Sequence, residues 1–506
     1  MRRSLSFFLL AMFTAACSGA SGSGDNPGDE TGVDPDVAVD PETGIPIDTA
    51  PPPAELVKNL SISEISLFQG SKLVLEKAGA PATGQRAKVA AGRAARVRVY
   101  VTPGDGWASR DVVGVLTITS GSGTVTTLTD TKTIERASAD NAIDSTLNFD
   151  VDTGIIDLGA TYSVSLRTGP GQPDGPSDGA QYPAGDGAAD PFNAQDVGDT
   201  FHLVLVPFIV SGHTPDVTPE TWRTALYSFY PVKDVELTLH APVTWPSAVS
   251  ANGSGWSNVL NKVLQLRQTE AMGDQYFYYG IFTPSSSFET FCAAGCVGGL
   301  APLTTSPSDT YTRGAIGLGW PSSFGMGTMA QELAHSLGRQ HAPCGGASQV
   351  DPSFPYKDGS IGVWGFNLND KSLVSPTNKD FMGYCDPPTW TSDYTFGGIL
   401  TRISYVATHP NMHVPAGAPL DFRTVEVAPD GHLTWGDHVK LTVPPLSKPH
   451  TVAYTDADGK VLQSATGFYY PYSSIAGGML LVPEGPLDFA KMRVEKLGGV
   501  DRMLAR

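Results

Sequence analysis

The sequence predicts an α+β domain with a mixed sheet, flanked on each side by a β-sandwich. Three observations predict it. Residues 55–170 and 411–506 place apolar residues at every second position between Gly- and Asp-rich turns. Residues 200–410 alternate strand-like apolar runs with helically spaced ones. Glycine and proline are plentiful, 56 and 40 of 506 residues, which favours loop-rich β architecture over helical bundles.

The chain is 41% hydrophobic and 17% charged, an ordinary globular balance for about two to four domains. Its net charge of −18 argues against a nucleic-acid partner, because nothing offsets phosphate repulsion.

The first element is a targeting segment. Arg2 and Arg3 precede the apolar run Leu5 to Phe13, and Thr14-Ala15-Ala16-Cys17 follows. That order is a secretory signal, too short to span a bilayer as a mature helix. Small residues before Cys17 resemble a bacterial lipobox, although Thr14 stands where leucine is usual. Within the signal segment, residues 1–17, Cys17 is expected to be lipidated and to become the new N-terminus, with an ordinary signal peptide cut nearby as the alternative. Residues 18–54 are Gly, Ser, Asp and Pro with few large apolar side chains, and read as a disordered acidic tether. The expected location is therefore the outer membrane of a bacterium, periplasmic or surface-facing, held only by lipid.

Four cysteines remain. In an exported chain they suggest two disulfides, most simply Cys292–Cys296 and Cys344–Cys385, with a four-cysteine zinc site as the rival.

In the N-terminal β region Val97, Val99 and Val101, then Leu147, Phe149 and Val151, then Tyr162, Val164 and Leu166 alternate with polar partners. Residues 171–199 read as a linker. From Phe201 the run "LVLVPFIV" is that of a strand covered on both faces. Thr218-Pro219 offers a helix N-cap with proline at the first helical position. Trp256, Val259, Leu260, Val263 and Leu264 mark a helix stopped by Gly273. Tyr276 to Tyr279 read as a strand packing on both faces, and Met326 and Met329 as core. His213 and His240 lie near strand ends, where they approach the site or are simply solvated. After residue 410, Val439, Leu441 and Val443 alternate again and Asp458-Gly459 is a hairpin turn.

The chemistry gathers in "TMAQELAHSLGRQHAPCGG", Thr328 to Gly346. On a helix Gln331 and His335 share a face one turn apart, with Glu332 beside them. Gly338 can take the left-handed conformation that ends a helix, turning His341 back towards His335. Downstream lies "DFMGYC", Asp380 to Cys385. Together these segments resemble the metzincin zinc metalloproteases, H-E-x-x-H-x-x-G-x-x-H followed by a Met-turn. The resemblance covers residues 200–410. It implies Zn²⁺ held by His335 and His341, Glu332 as general base, Met382 flooring the metal and Tyr384 steadying the tetrahedral intermediate. It also implies that Cys344–Cys385 ties the two halves of the site together, worth about 4 kcal/mol for a loop of this length. The substrate it implies is an extracellular protein or glycoprotein. The sequence departs from the family at Gln331, where the first histidine ligand belongs. Gln331 then binds zinc weakly, or His335, His341, Tyr384 and water hold it, or the site is metal-free and the protein is a surface binder of proteins or glycans. A further reading makes Thr328-x-x-Gln331 a capping box, if the helix begins at Thr328.

The anchor is directly testable. Cys17→Ala is expected to release the protein from membranes on cell fractionation, and unchanged membrane association would refute lipidation there.

Overall fold

The structure is a computed structural model that describes residues 55–304, 306–386, 388–409, 420–441 and 443–506. The expected signal peptide, Cys17 and the tether lie outside the described residues.

The alternating segments near the N-terminus form two antiparallel sheets around one apolar core. One sheet runs in the order Ala80–Pro81, Lys72–Lys77, Leu60–Phe68, Ala95–Pro103, Leu147–Val151. The other runs Glu55–Leu56, Thr161–Thr168, Arg110–Thr119, Val125–Ile134. Val97, Val99, Val101, Leu147, Phe149, Val164 and Leu166 all point into the shared core, as side chains alternating across a pleat must. The stretch expected as a linker is drawn into this layer. Gln181–Tyr182 and Asp190–Pro191 both pair with Thr161–Thr168.

The central region is a mixed sheet in the order Val235–Leu239, Phe201–Val210, Phe277–Phe282, Gly314–Leu318, Gly299–Leu300. The first four strands run parallel, and the edge strand Gly299–Leu300 runs antiparallel to its neighbour. Strands covered on both faces need apolar residues on both, and the runs supply them. Leu203, Leu205, Phe277, Tyr279 and Ile281 face one core with the helices Pro219–Phe229, Ser323–Ser336 and Asp393–Thr408. Val204, Val206, Phe208, Tyr278 and Phe282 face the other, with the helix Trp256–Glu270. Met329 is fully buried in the first of these cores, with Met326 packed against it.

Helix ends depart from the sequence reading in detail. The first helix begins at Pro219 as proline geometry favours, but the Thr218 side chain makes no cap bond. The helix from Trp256 stops before Gly273, with Ala271 in the left-handed conformation at φ 49°. The helix Ser323–Ser336 starts a turn earlier than a Thr328 cap requires, because the Ser322 hydroxyl accepts from the Gly325 N–H at 3.3 Å. Gln331 is therefore a mid-helix residue, and the capping-box reading is corrected.

The C-terminal strands also differ from expectation. Seven of them form one continuous antiparallel ladder, Leu433–Leu441 at one end and Val500–Ala505 at the other. The hydrogen bonding draws no two-sheet division. The two end strands approach each other, and the Trp435 indole N–H donates to the Ala505 carbonyl at 2.6 Å. One face of this sheet closes on its own core around Val425, Val452, Leu480 and Met492. The other face sends Phe422, Val439, Leu441, Tyr470 and Tyr472 into the core around Trp256 and Leu260.

Polar contacts lock the layers together. Arg93, fully buried, donates to the carbonyls of Gln69, Tyr227 and Val232. The Trp390 indole donates to the Gly70 carbonyl at 2.8 Å. On the other side buried Asp309 accepts the Tyr470 hydroxyl at 2.6 Å and the Tyr311 N–H at 3.1 Å. Burial raises the Asp309 carboxyl above its ordinary range, and the Tyr470 hydroxyl opposes that shift. Tyr470→Phe strips a buried carboxylate of a donor. It is expected to cost about 1–3 kcal/mol of stability in chemical denaturation. The hydroxyl serves the ionised form, so the loss should be smaller at acid pH; an unchanged midpoint at neutral pH would count against the contact.

Candidate functional site

The helix Ser323–Ser336 lies against the last parallel strand and carries Gln331, Glu332 and His335. It ends in a Schellman turn. The Gly338 N–H donates to the His335 carbonyl at 2.8 Å and the Arg339 N–H to the Ala334 carbonyl at 2.9 Å. Gly338 has φ +81°, and a Cβ there would fall 2.2 Å from the Arg402 guanidinium. Glycine suits that reversal, because a side chain there would be strained and would displace Arg402, and it returns the chain so that His341 meets His335.

The two imidazoles face each other. Their Nε2 atoms are 3.1 Å apart, and the rings are nearly perpendicular with centroids 4.6 Å apart. Each Nδ1 sits on a backbone carbonyl, His335 on Arg339 at 2.7 Å and His341 on Ser348 at 2.5 Å. A carbonyl only accepts, so both Nδ1 atoms carry the proton and both Nε2 atoms present lone pairs. Burial holds both rings below the usual histidine range, and for His335 the neighbouring His341 adds to that. Two lone pairs at this distance repel unless a cation lies between them. Two nitrogens bound to one tetrahedral zinc at ~2.0–2.1 Å stand about 3.3 Å apart. The donor pair therefore fits a shared zinc ion.

A third protein donor is not of the usual kind. Among the described residues no group of three or more His, Cys, Asp and Glu side chains is arranged to hold a metal. Gln331 is one turn before His335, with its amide Nε2 3.5 Å from the Gly383 carbonyl. A carboxamide oxygen is a poorer zinc donor than imidazole.

The segment Asp380 to Cys385 contributes Phe381, Gly383, Tyr384 and Cys385 to the lining of the adjoining cleft. The buried Asp380 carboxylate accepts the N–H groups of Met382 at 2.8 Å and Ser392 at 3.0 Å, pinning this turn to the start of the last helix. Met382 is buried, and its carbonyl accepts the Ala342 N–H at 3.0 Å, next to His341. Two disulfides are present, as the cysteine count suggested. Cys344–Cys385 spans 41 residues and joins the loop after His341 to this turn. Cys292–Cys296 braces the chain just before the edge strand. Gly383 allows the first of these, because a Cβ there would fall 2.6 Å from the Cys344 Cβ.

A cleft of about 720 Å³ opens beside these elements. Gln331, Glu332, Tyr384, Phe324, Gly299 and Ser474 are among its walls, while His335 and His341 are wholly buried behind it. Tyr384 is partly exposed, its ring 4.7 Å from that of His341, and burial pushes its hydroxyl up to about 12. Glu332 stands against the edge strand, where a Cβ on Gly299 would fall 2.4 Å from its Cγ. His213 and His240 are not among the cleft residues, and His240 pairs with Glu270 at 2.8 Å.

Sequence reasoning missed two residues that touch Glu332. The Ser473 hydroxyl donates to one carboxylate oxygen at 2.7 Å and the Ser474 hydroxyl to the other at 3.1 Å. Both come from the C-terminal sheet, 141 and 142 residues away. Asp380 was also missed as the hub of the turn, although it opens the quoted "DFMGYC".

No protein-family model matches the chain, and no curated protein matches it.

Burial pushes the Glu332 carboxyl up to about 8, outweighing the two serine hydroxyls. A carboxyl raised in the folded state stabilises fully only below its unfolded value of 4.5, and that stability is lost as pH rises through about 8. In chelator-treated protein Glu332→Gln, uncharged throughout, is expected to raise the melting temperature above about pH 8, with the gain fading towards about pH 5. At roughly 1.4 kcal/mol per pKa unit the gain amounts to a few kcal/mol. Thermal melts across that range measure it, and a pH-independent difference would refute the buried charge.

Proposed function

We propose that the cleft is the active site of an exported zinc-dependent endopeptidase of metzincin type, with metal binding weakened at Gln331. The observation that carries the reading is the pair of Nε2 lone pairs, 3.1 Å apart and each fixed by a backbone carbonyl, beside a buried carboxylate. The antiparallel edge strand, the helix with its Gly338 reversal and the Met382 turn support it.

Zinc held by His335 and His341 would supply Lewis acidity, polarising a peptide carbonyl and acidifying water. The chain's own residues do the rest. Glu332, raised towards neutrality by burial, takes a proton from water and returns it to the leaving amine. Tyr384, still protonated at neutral pH, donates to the developing oxyanion. The edge strand at Gly299 lines the cleft, where its backbone groups would pair with an extended peptide. The expected substrates are extracellular proteins or glycoproteins, and the expected membrane link is a lipid on Cys17.

A second reading is a binding lipoprotein that uses the same cleft without cleavage. Two observations favour it, namely the carboxamide where the first histidine ligand belongs and the occupation of both Glu332 oxygens by serines.

Gln331→His separates the two. It is expected to tighten zinc on the order of tenfold or more, read by calorimetry and by metal content after purification without chelator. Cleavage of labelled casein should rise in parallel, and Glu332→Gln on that background should lower it by about 10²–10⁴-fold. If Gln331→His gains neither zinc nor cleavage, the peptidase reading fails.

A further inference from the structure

The C-terminal sheet does more than pack on the central domain. After the strand Val461–Pro471 the chain makes a turn before Gly478–Pro483, and that turn lies along the edge of the central sheet. The Leu303 N–H donates to the Pro471 carbonyl and the Ser473 N–H to the Ala301 carbonyl, each at 2.9 Å. Pro302 and Tyr472 form an antiparallel bridge. The Ala301 N–H donates to the Ser473 hydroxyl at 3.0 Å. Further on, Ile475 packs with Val297 against Gly253, at the other end of the edge strand. Residues 471–473 thus run antiparallel to residues 303–301, as an added strand would, next to the edge strand.

The hydroxyl of Ser474 has a particular place. It donates to Glu332 at 3.1 Å and accepts from the Tyr384 hydroxyl at 3.3 Å. It therefore touches both the group expected to take a proton from water and the group expected to donate to the oxyanion. Ser473 binds the second Glu332 oxygen at 2.7 Å.

We propose that the turn Ser473–Ala476 is a resident plug, lying in the place of a bound peptide and setting the Ser474 hydroxyl where the reacting water or carbonyl would stand. The inference rests on the peptidase reading for the identity of that place.

The turn is short, and its base is held independently of Glu332 and Tyr384. Its base is fixed on both sides: the Tyr472 hydroxyl donates to Glu426 at 2.7 Å, Gln349 donates to the Tyr472 carbonyl at 2.7 Å, and the Tyr472 N–H closes on Gly477 at 3.2 Å. Gly477 takes φ +101°, a conformation that confines the bend to the residues between. The contacts beyond the base are hydrogen bonds to Glu332, Tyr384 and Ala301 and the packing of Ile475. An extended peptide would replace them with the same backbone groups of the edge.

The test uses the full chain and fluorescein-labelled casein. Binding is read by anisotropy in chelator-treated protein, and cleavage in zinc-loaded protein. Ser473→Ala/Ser474→Ala is expected to bind casein several-fold more tightly than wild type and to cleave it several-fold faster. Tighter binding with no cleavage by either form upholds the plug and overturns the peptidase reading. Unchanged binding overturns the plug, whatever wild type cleaves. A folded double variant that cleaves more slowly also overturns it, since the serines would then hold the base in position for catalysis. Ile475→Gly keeps both hydroxyls and loosens only the packing, so it serves if the double variant does not fold. It is expected to act in the same direction, and its failure to tighten binding counts against the plug.

Discussion

Two neutral imidazoles that aim lone pairs at one point impose the central constraint on this molecule. Left to themselves His335 and His341 would turn apart. They cannot, because each Nδ1–H is tied to a carbonyl of a loop that is itself pinned. The Arg339 carbonyl is fixed by the reversal at Gly338, whose φ of +81° side chains rarely adopt. The Ser348 carbonyl belongs to the loop that Cys344–Cys385 fastens to the Met382 turn. Asp380 holds that turn by its backbone N–H groups. Hydrogen bonds to the second imidazole nitrogen are what orient metal ligands and fix their tautomer. Here that outer layer is complete on both histidines.

The rest of the architecture keeps this arrangement dry. The parallel strands are covered on both faces, so the helix bearing Glu332 and His335 rests on a largely apolar base. The N-terminal sheets support the last helix, to which the Met382 turn is tied, with Phe396 reaching into their core. The C-terminal sheet closes the opposite face and brings Ser473 and Ser474 over the carboxylate. Low local dielectric then acts on every polar group at once. It raises Glu332, lowers both histidines and makes each hydrogen bond at the site stronger than it would be in water.

Much of this was legible in the sequence because it is local. The i, i+4 spacing of Gln331 and His335, the glycine after the helix and the following His341 belong to one short segment. Their meeting follows from helical geometry and one left-handed residue. Strand alternation placed the side chains of the N-terminal core for the same reason. What was not legible depends on distance along the chain. Nothing near Ser473 or Ser474 marks them as partners of Glu332, since their neighbours read as an ordinary hairpin turn. The helix start was left open between two capping residues, and Ser322 rather than Thr328 caps it. A continuous seven-stranded ladder and a two-sheet sandwich share one alternation pattern, so the pattern could not separate them.

Gln331 is best weighed against what surrounds it. A decayed metal site would be expected to lose its costly parts first, because facing lone pairs and a buried carboxylate are both unfavourable without a cation. Here both are retained, together with the carbonyls that hold the imidazoles in place. A zinc ion between the Nε2 atoms would relieve their repulsion directly and would favour the ionised form of Glu332. Any ligand that binds only the folded state also adds its binding free energy to folding. The interactions that oppose the facing imidazoles would in that case favour the bound ion. A carboxamide in place of the first imidazole would weaken that preference, because its oxygen is a poorer zinc donor.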